Sequence, residues 1–392
     1  MPPPPPTPAP AVSRFPETPE TPDASTDETR YSRQILFPGI GIAGQALLGK
    51  AHVAIVGVGA TGAATASLLA RAGVGALTLI DRDFVEESNL QRQVLFDEAD
   101  ARDALPKAEA ARRKIHSFNS AVRVHPEVAD LVPANIHRLL GPAHLILDAT
   151  DNFETRYLLN DFAVQQGKPW IYAAAVGAYA TTMTILPRTL QPPSTSPQTP
   201  GTLTRESWQS TACLACLFPK PPTGPVETCD TAGILSMAVN LAASIQAAEA
   251  LKLLTGQPHL LRRTLLSFDL WTPTAAASLD RSEISTSTPD PDCPVCAHRI
   301  FTHLSGEGRP HITLCGRNSV QIHEHHRPID LAAMHRRLLS HPEVTHLRSN
   351  DLLLRFRRGP HTITLFPDGR ALIQGTTDIT LARTLYARFI GS

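Results

Sequence analysis

From residue 50 onward, short apolar runs alternate with longer stretches in which apolar residues recur every three or four positions. The runs at 52–56, 76–80, 122–128, 144–148, 169–173, 181–186 and 264–269 predict strands. The periodic stretches 61–72, 106–118, 133–140, 154–166 and 232–255 predict helices. Strand and helix in alternation is the pattern of an α/β, Rossmann-like fold, a mostly parallel sheet with helices on both faces. In the last helix Ile234, Ala238, Leu241, Ile245 and Ala248 form one apolar stripe, suited to a core or a subunit contact. Helix signals near 329–339 and 377–388, with short strands within 344–373, predict a small α+β domain over 301–392.

The main unit is then 30–300, interrupted by two stretches rich in Pro, Ser and Thr, 187–207 and 280–292, which read as flexible loops. The proline-rich opening, 1–29, has neither a basic n-region nor an apolar h-region, so it predicts a disordered tail rather than a secretory signal. The longest apolar stretch, "ILSMAVNLAASIQAAEALKLL", carries Asn240, Gln246, Glu249 and Lys252, which a membrane span tolerates poorly. Acidic and basic residues balance at 36 each, so no global field favours nucleic acid or an anionic membrane. A cytoplasmic protein is the expectation.

Candidate chemistry begins at "HVAIVGVGATG", where Gly57, Gly59 and Gly62 follow a strand and open a helix in the spacing G-x-G-x-x-G. Such glycines turn the chain sharply and bring backbone close to phosphate, with the helix N-terminus pointing at the same anion. Asp81, at the end of the second strand, is placed to accept ribose hydroxyls. That much fits an NAD-dependent dehydrogenase. The loop continues into Asn89, Gln91 and Arg92, however, and polar and cationic groups beside a phosphate turn suit a triphosphate. "LILDATDN" places Asp148 and Asp151 at a strand's C-terminal end, where Asp151 suits Mg²⁺, and Lys107 adds a cation at a helix start. Two C-x-x-C pairs, Cys213 with Cys216 and Cys293 with Cys296, match a closed four-thiolate structural zinc site; a redox pair is the alternative.

The glycine loop, "SNLQRQ", "DATDN", the first C-x-x-C, "ETCDTAGIL", "EALKLLTG" and the second C-x-x-C follow one another from about Arg30 to Cys296. In that order they resemble the ThiF/MoeB family, bacterial relatives of ubiquitin-activating enzymes. The resemblance implies adenylation, at the cost of ATP, of the C-terminal glycine of a ubiquitin-like sulfur carrier for thiamine-thiazole or molybdopterin synthesis. It implies Arg33, Arg92 and Lys107 as phosphate ligands with Asn89 and Gln93 beside them, Asp81 and Asp83 in the nucleotide-binding set, and Asp151 for Mg²⁺. In relatives the arginine matching Arg33 comes from the partner subunit, which implies a homodimer.

Where relatives carry Gly-x-x-Lys or Gly-Gln-Pro-Lys, this chain has "DALPK", so the turn before Lys107 lacks its glycine. Cys229, in "VETCDTAG", matches a cysteine that in some relatives is joined covalently to the activated carrier and in others is dispensable; a helix starting just beyond it would favour its thiolate. The implied partners are the carrier and a cysteine desulfurase or other sulfur donor, with no nucleic acid and no membrane. The tail, with "FPDGRALIQGTTD", is similar to an extension on some bacterial members. Cys315 in "LCGRNSV" resembles a rhodanese loop without the rest of that domain, and "HEHH" (323–326) reads as a solvated run. An activator of another ubiquitin-like protein, a nicotinamide oxidoreductase and a zinc-stabilised scaffold stay open as alternatives.

Overall fold

The computed structural model describes residues 24–188, 208–221, 229, 231–272, 280–306, 312–315, 319–322, 329–350, 353–367 and 369–391. Its larger sheet has eight strands: β1 (His52–Val56), β2 (Ala76–Ile80), β3 (Arg123–Glu127), β4 (Leu145–Asp148), β5 (Trp170–Val176), β6 (Tyr179–Ile185), β7 (Thr264–Asp269) and β8 (Asp280–Ser285). They are ordered β3-β2-β1-β4-β5-β6-β7-β8. The first five in this order run parallel, and β5 to β8 pair antiparallel. The order reverses between β1 and β4, and ligands of open α/β sheets bind outside the strands' C-terminal ends at such a point.

The helices of this unit are α1 (Ala24–Ile35), α2 (Gly41–Lys50), α3 (Ala60–Arg71), α4 (Glu98–Arg102), α5 (Lys107–Phe118), α6 (Pro133–Leu140), α7 (Phe153–Gln166), α8 (Leu214–Leu217) and α9 (Ser236–Leu254). Both sheet faces are covered, and β1 shows why its run is continuously apolar. Val53 and Ile55 point into a core shared with α3, α5 and α9, whereas Ala54 and Val56 point into one shared with α6 and α7. The apolar face of α9 is rotated from the predicted stripe. Ala238, Ala242, Ala243, Ala250 and Leu253 are buried, Leu241 and Ile245 are partly covered, and Ala248 is exposed. Small residues let α9 lie close to both α3 and β5.

Two stretches read as unstructured carry regular elements. Helix α1 begins at Ala24, inside the predicted tail, and β8 occupies the start of the predicted loop 280–292. β8 is an exposed edge strand held by its ladder to β7, so no buried face marks it in the sequence. The predicted loop 187–207 falls almost wholly outside the described residues.

The C-terminal part forms a second sheet from β9 (Ile312–Cys315), β10 (Ser319–Ile322), β11 (Thr345–Ser349), β12 (Leu354–Arg358), β13 (His361–Leu365) and β14 (Ala371–Gln374). These are antiparallel in the order β11-β12-β13-β14-β10-β9. Helices α10 (Leu331–Leu339) and α11 (Ile379–Phe389) pack on it through a core of their own, each N-capped by an aspartate, Asp330 and Asp378. Cys315 lies in β9, while the residues after it and the run 323–326 fall outside the described residues. Among the described residues no helix is long and apolar enough to cross a membrane.

Candidate active site

The three glycines after β1 have three different duties. Gly57 has φ +86°, and a Cβ there would stand 2.6 Å from the Ala149 carbonyl oxygen beyond β4. A Cβ on Gly62 would stand 1.9 Å from the Gly57 carbonyl oxygen, so its absence lets α3 sit against the turn. Gly59, which caps α3, has only Gln93 Nε2 near, at 3.9 Å from such a Cβ. Gly59 therefore faces a gap between the α3 N-terminus and the 89–93 segment, where an anion meets free N–H groups.

Asp81 closes one side of this gap. Its Oδ2 accepts from Val58 N–H at 2.6 Å and its Oδ1 from Asp83 N–H at 2.7 Å. Burial pushes its pKa up, and the nearby Lys107 charge opposes that shift. Lys107 is 2% exposed, with Nζ 3.1 Å from Asp83 Oδ2. Its own N–H donates to the Asp83 carbonyl at 2.9 Å, and Val85 N–H donates to Leu105 at 2.8 Å, zipping the two loops together. The turn before Lys107 closes without glycine because Ala104 itself adopts the left-handed conformation, φ +49°.

Asn89 ends a short 3₁₀ turn, Glu87–Asn89, and its Oδ1 accepts from Glu86 N–H at 3.3 Å. Arg92 is 9% exposed and donates to the Ser88 carbonyl at 2.7 Å. Gln93 is 2% exposed, and its Oε1 has no partner among the described residues. A buried amide oxygen without a described partner, flanking Gly59, is what a bound ligand would complete.

At the end of β4, Asp148 is wholly buried. Its Oδ1 accepts from Thr150 N–H and Oγ1 at 2.9 and 2.7 Å, and its Oδ2 lies 3.3 Å from Arg156 Nε. Burial pushes its pKa up, with Arg156 opposing. Asp148 thus shapes the loop, and Asp151 lies exposed just beyond it.

Two further residues went unassigned in the sequence. Arg156 holds both Asp148 and the Thr150 carbonyl, the latter at 2.5 Å. Gln246, noticed only as a polar interruption of an apolar stretch, donates to the Asp148 and Ile171 carbonyls at 2.8 and 2.9 Å and accepts from Thr65 at 3.0 Å. It ties α9, α3 and two strands directly beneath the site. A glutamine on the same helix face as Ala242, Ala243 and Ala250 was the available signal.

Arg33 is not brought to this cluster within the chain. Helix α1 is anchored where Asn119 Nδ2 donates to Tyr31 at 2.8 Å and Gln34 Nε2 to the Ala72 carbonyl at 2.8 Å. That is the far end of α3, roughly 18 Å along the helix from its N-terminus. Arg33 is exposed there. Cys229 is half-buried in a turn, and α9 starts only at Ser236 with Leu235 as its cap, so the expected helix start directly beyond the cysteine is absent.

Four of the other cysteines converge. Cys213 Sγ lies 3.6 Å from Cys293 Sγ and 3.8 Å from Cys216 Sγ, and Cys216 lies 3.4 Å from Cys296. A tetrahedral zinc ion with bonds of about 2.3 Å separates its sulfurs by about 3.8 Å, so the set fits that ion. Helix α7 orders the surroundings: Asn160 Oδ1 accepts from Leu214 N–H at 2.9 Å and Asp161 Oδ2 from His303 N–H at 2.9 Å. Asp290 N–H reaches Cys216 Sγ at 3.4 Å, a bond that favours the thiolate.

The chain is similar to several known proteins. The ThiF family model matches residues 31–295. The chain is 42% identical over 365 residues to the sulfur carrier protein ThiS adenylyltransferase of Bacillus subtilis, a match covering 92% of this chain and 99% of that protein. It is 37% identical over 241 residues to the probable adenylyltransferase/sulfurtransferase MoeZ of Mycobacterium tuberculosis, covering 61% of this chain and 57% of that one. The crystal structure of E. coli MccB with ATP shares the fold, with a TM-score of 0.53 at 23% identity over 68% of this chain and 74% of that chain.

Proposed function

This chain belongs to the ThiF family, and we propose that it adenylates the C-terminal glycine of a ThiS-like sulfur carrier with ATP, for thiazole synthesis. The observation that carries the reading is the buried Lys107 ammonium beside Asp83, facing the same gap as Gly59 and the buried Gln93 amide. A nicotinamide site needs no such cation and has no use for the four-cysteine cluster.

The chemical problem is the approach of one anion to another. An α-carboxyl group has a pKa of about 3.5 and is already ionised, so no base is needed. The carboxylate oxygen bonds to the α-phosphorus, the bond to the bridging oxygen breaks, and pyrophosphate leaves with the electron pair. Lys107 and Arg92 supply fixed positive charge to phosphate oxygens, the α3 N-terminus supplies N–H donors, and Asp81 accepts from the ribose. Asp151 would hold Mg²⁺, which when bound neutralises phosphate charge. The four cysteines would hold a structural Zn²⁺ that joins the segment after β6 to the end of the domain.

In this reading Arg33 acts from the second subunit of a homodimer, which accounts for its place at the far end of α3. Cys229 takes the activated carrier in a later covalent step, its thiolate bonding to the acyl carbon as AMP leaves, with a cysteine desulfurase or other donor supplying sulfur. The location is cytoplasmic, where ATP and reduced thiols coexist. A molybdopterin carrier is the second reading, but the ThiS adenylyltransferase match covers 92% of this chain and the MoeZ match 61%.

The deciding experiment is carrier-dependent exchange of labelled pyrophosphate into ATP, run separately with a thiazole-pathway and a molybdopterin-pathway carrier. Exchange with the first alone is expected. Exchange with the second alone reverses the pathway, and exchange with neither refutes adenylation of this carrier class.

A further inference from the structure

The segment that follows β2 is extended, and its side chains alternate in direction. Asp81, Asp83 and Val85 turn inward, to the nucleotide gap and the main core. Arg82, Phe84 and Glu86 turn outward, and each meets the C-terminal sheet. Arg82 Nη1 donates to Gln321 Oε1 at 3.0 Å and to Asp130 Oδ2 at 3.1 Å, and Gln321 Nε2 donates to the same Asp130 oxygen at 3.0 Å. The Arg355 guanidinium lies over the Phe84 ring, 4.1 Å from its centroid, with Nη2 3.6 Å from Glu86 Oε1. Arg355, Thr364, Leu372 and Gln321 are register partners across β12, β13, β14 and β10, so one transverse row of the sheet meets the segment. Phe84 and Ala104, the left-handed residue of the Lys107 turn, share a buried cluster with Leu353, Phe366 and Leu372.

We propose that the C-terminal sheet is a brace for the nucleotide loop, with Arg355 as a positioning residue acting through Phe84 and Glu86. Glu86 is the residue whose N–H Asn89 holds, and Phe84 bridges Pro106, immediately before Lys107. Pressing on these two residues sets Asn89 and the Asp83–Lys107 pair relative to Gly59. The brace stands in for the glycine missing before Lys107: the Ala104 methyl, in a backbone conformation that disfavours a side chain, is held by apolar packing from the added domain. The proposal rests on the adenylation reading for what the gap holds.

The test uses full-length protein and measures ATP binding by titration without carrier, then ATP KM, carrier KM and kcat in pyrophosphate exchange, alongside thermal melting. For Arg355→Ala the expected result is ATP affinity weakened about tenfold, carrier KM changed by less than about twofold and melting close to wild type. Arg355→Lys, which keeps the charge near Glu86 but not the planar stack on Phe84, recovers part of the loss. A folded Arg355→Ala protein that binds ATP as wild type does overturns the brace. Should that variant not fold, Glu86→Gln removes only the charge pair; about threefold weaker ATP binding is expected, and unchanged binding overturns the proposal. Wild-type protein that does not bind ATP refutes the adenylation reading itself, a failure distinct from that of the brace.

Discussion

Lys107 and Asp83 are joined twice, by a side-chain pair of 3.1 Å and by a main-chain hydrogen bond of 2.9 Å in which Lys107 donates. The main-chain bond fixes the distance between two loops, and the side-chain pair holds the ammonium in one orientation while it is 2% exposed. One residue thereby opens α5, closes the 104–107 turn and brings a cation to the glycine loop.

Lys107→Ala is expected to lower kcat/KM for carrier-dependent pyrophosphate exchange by at least about a hundredfold, the scale for losing a preorganised charge at a phosphoryl centre. Melting should move little, because the Asp83 side chain is 26% exposed and its carboxylate regains water. Lys107→Arg should not restore activity, since a planar guanidinium does not fit a pocket closed around an ammonium. Exchange kinetics with a parallel melt check both points.

Placing Arg33 in the partner's site leads to a complementation test. Arg33→Ala and Lys107→Ala homodimers should each be nearly inactive, yet subunits exchanged at equal ratio should recover about a quarter of wild-type activity. Half the dimers are then mixed, and each of these holds one intact site of two. No recovery after verified subunit exchange would place Arg33 outside the partner's site.

Removing one zinc ligand should unfold more than one loop, because the cluster joins Cys213–Cys216 to Cys293–Cys296. For Cys213→Ser we expect loss of stoichiometric zinc and a melting temperature lower by at least about 10 °C. Metal analysis of the purified protein and thermal denaturation with and without a chelator measure the two effects.

Glu109, in the first turn of α5, accepts from Arg112 Nε and Nη2 at 2.8 and 2.7 Å and from Arg113 Nε at 2.8 Å. The hydrogen bonds from Arg112 come first among the causes that hold its carboxyl below the ordinary 4.5. A depressed folded-state value gives stability that is complete above pH 4.5 and lost as pH falls through the lower folded value. Glu109→Gln should therefore cost on the order of 0.5–1 kcal/mol at neutral pH, shrinking toward zero in acid. Denaturant melts of both proteins across this range measure the difference.

Much of this protein was legible in one dimension. Side chains alternate along a strand and recur along a helix because backbone geometry imposes those periods, so β1 to β7 and α3, α5, α6, α7 and α9 follow from the apolar pattern alone. The glycine spacing likewise announces the turn after β1, since each glycine meets a local or near-local constraint. Tertiary structure decided everything that rests on partners distant in sequence. It buried Gln246 under three elements, set Arg156 against Asp148, drew two distant cysteine pairs to within 3.8 Å and gave β8 an identity that only its neighbour confers. It also supplied what the "DALPK" turn lacks. An alanine tolerates the left-handed conformation at Ala104 because an apolar cluster spanning both sheets holds it there, and composition, period and spacing carry no record of that contact.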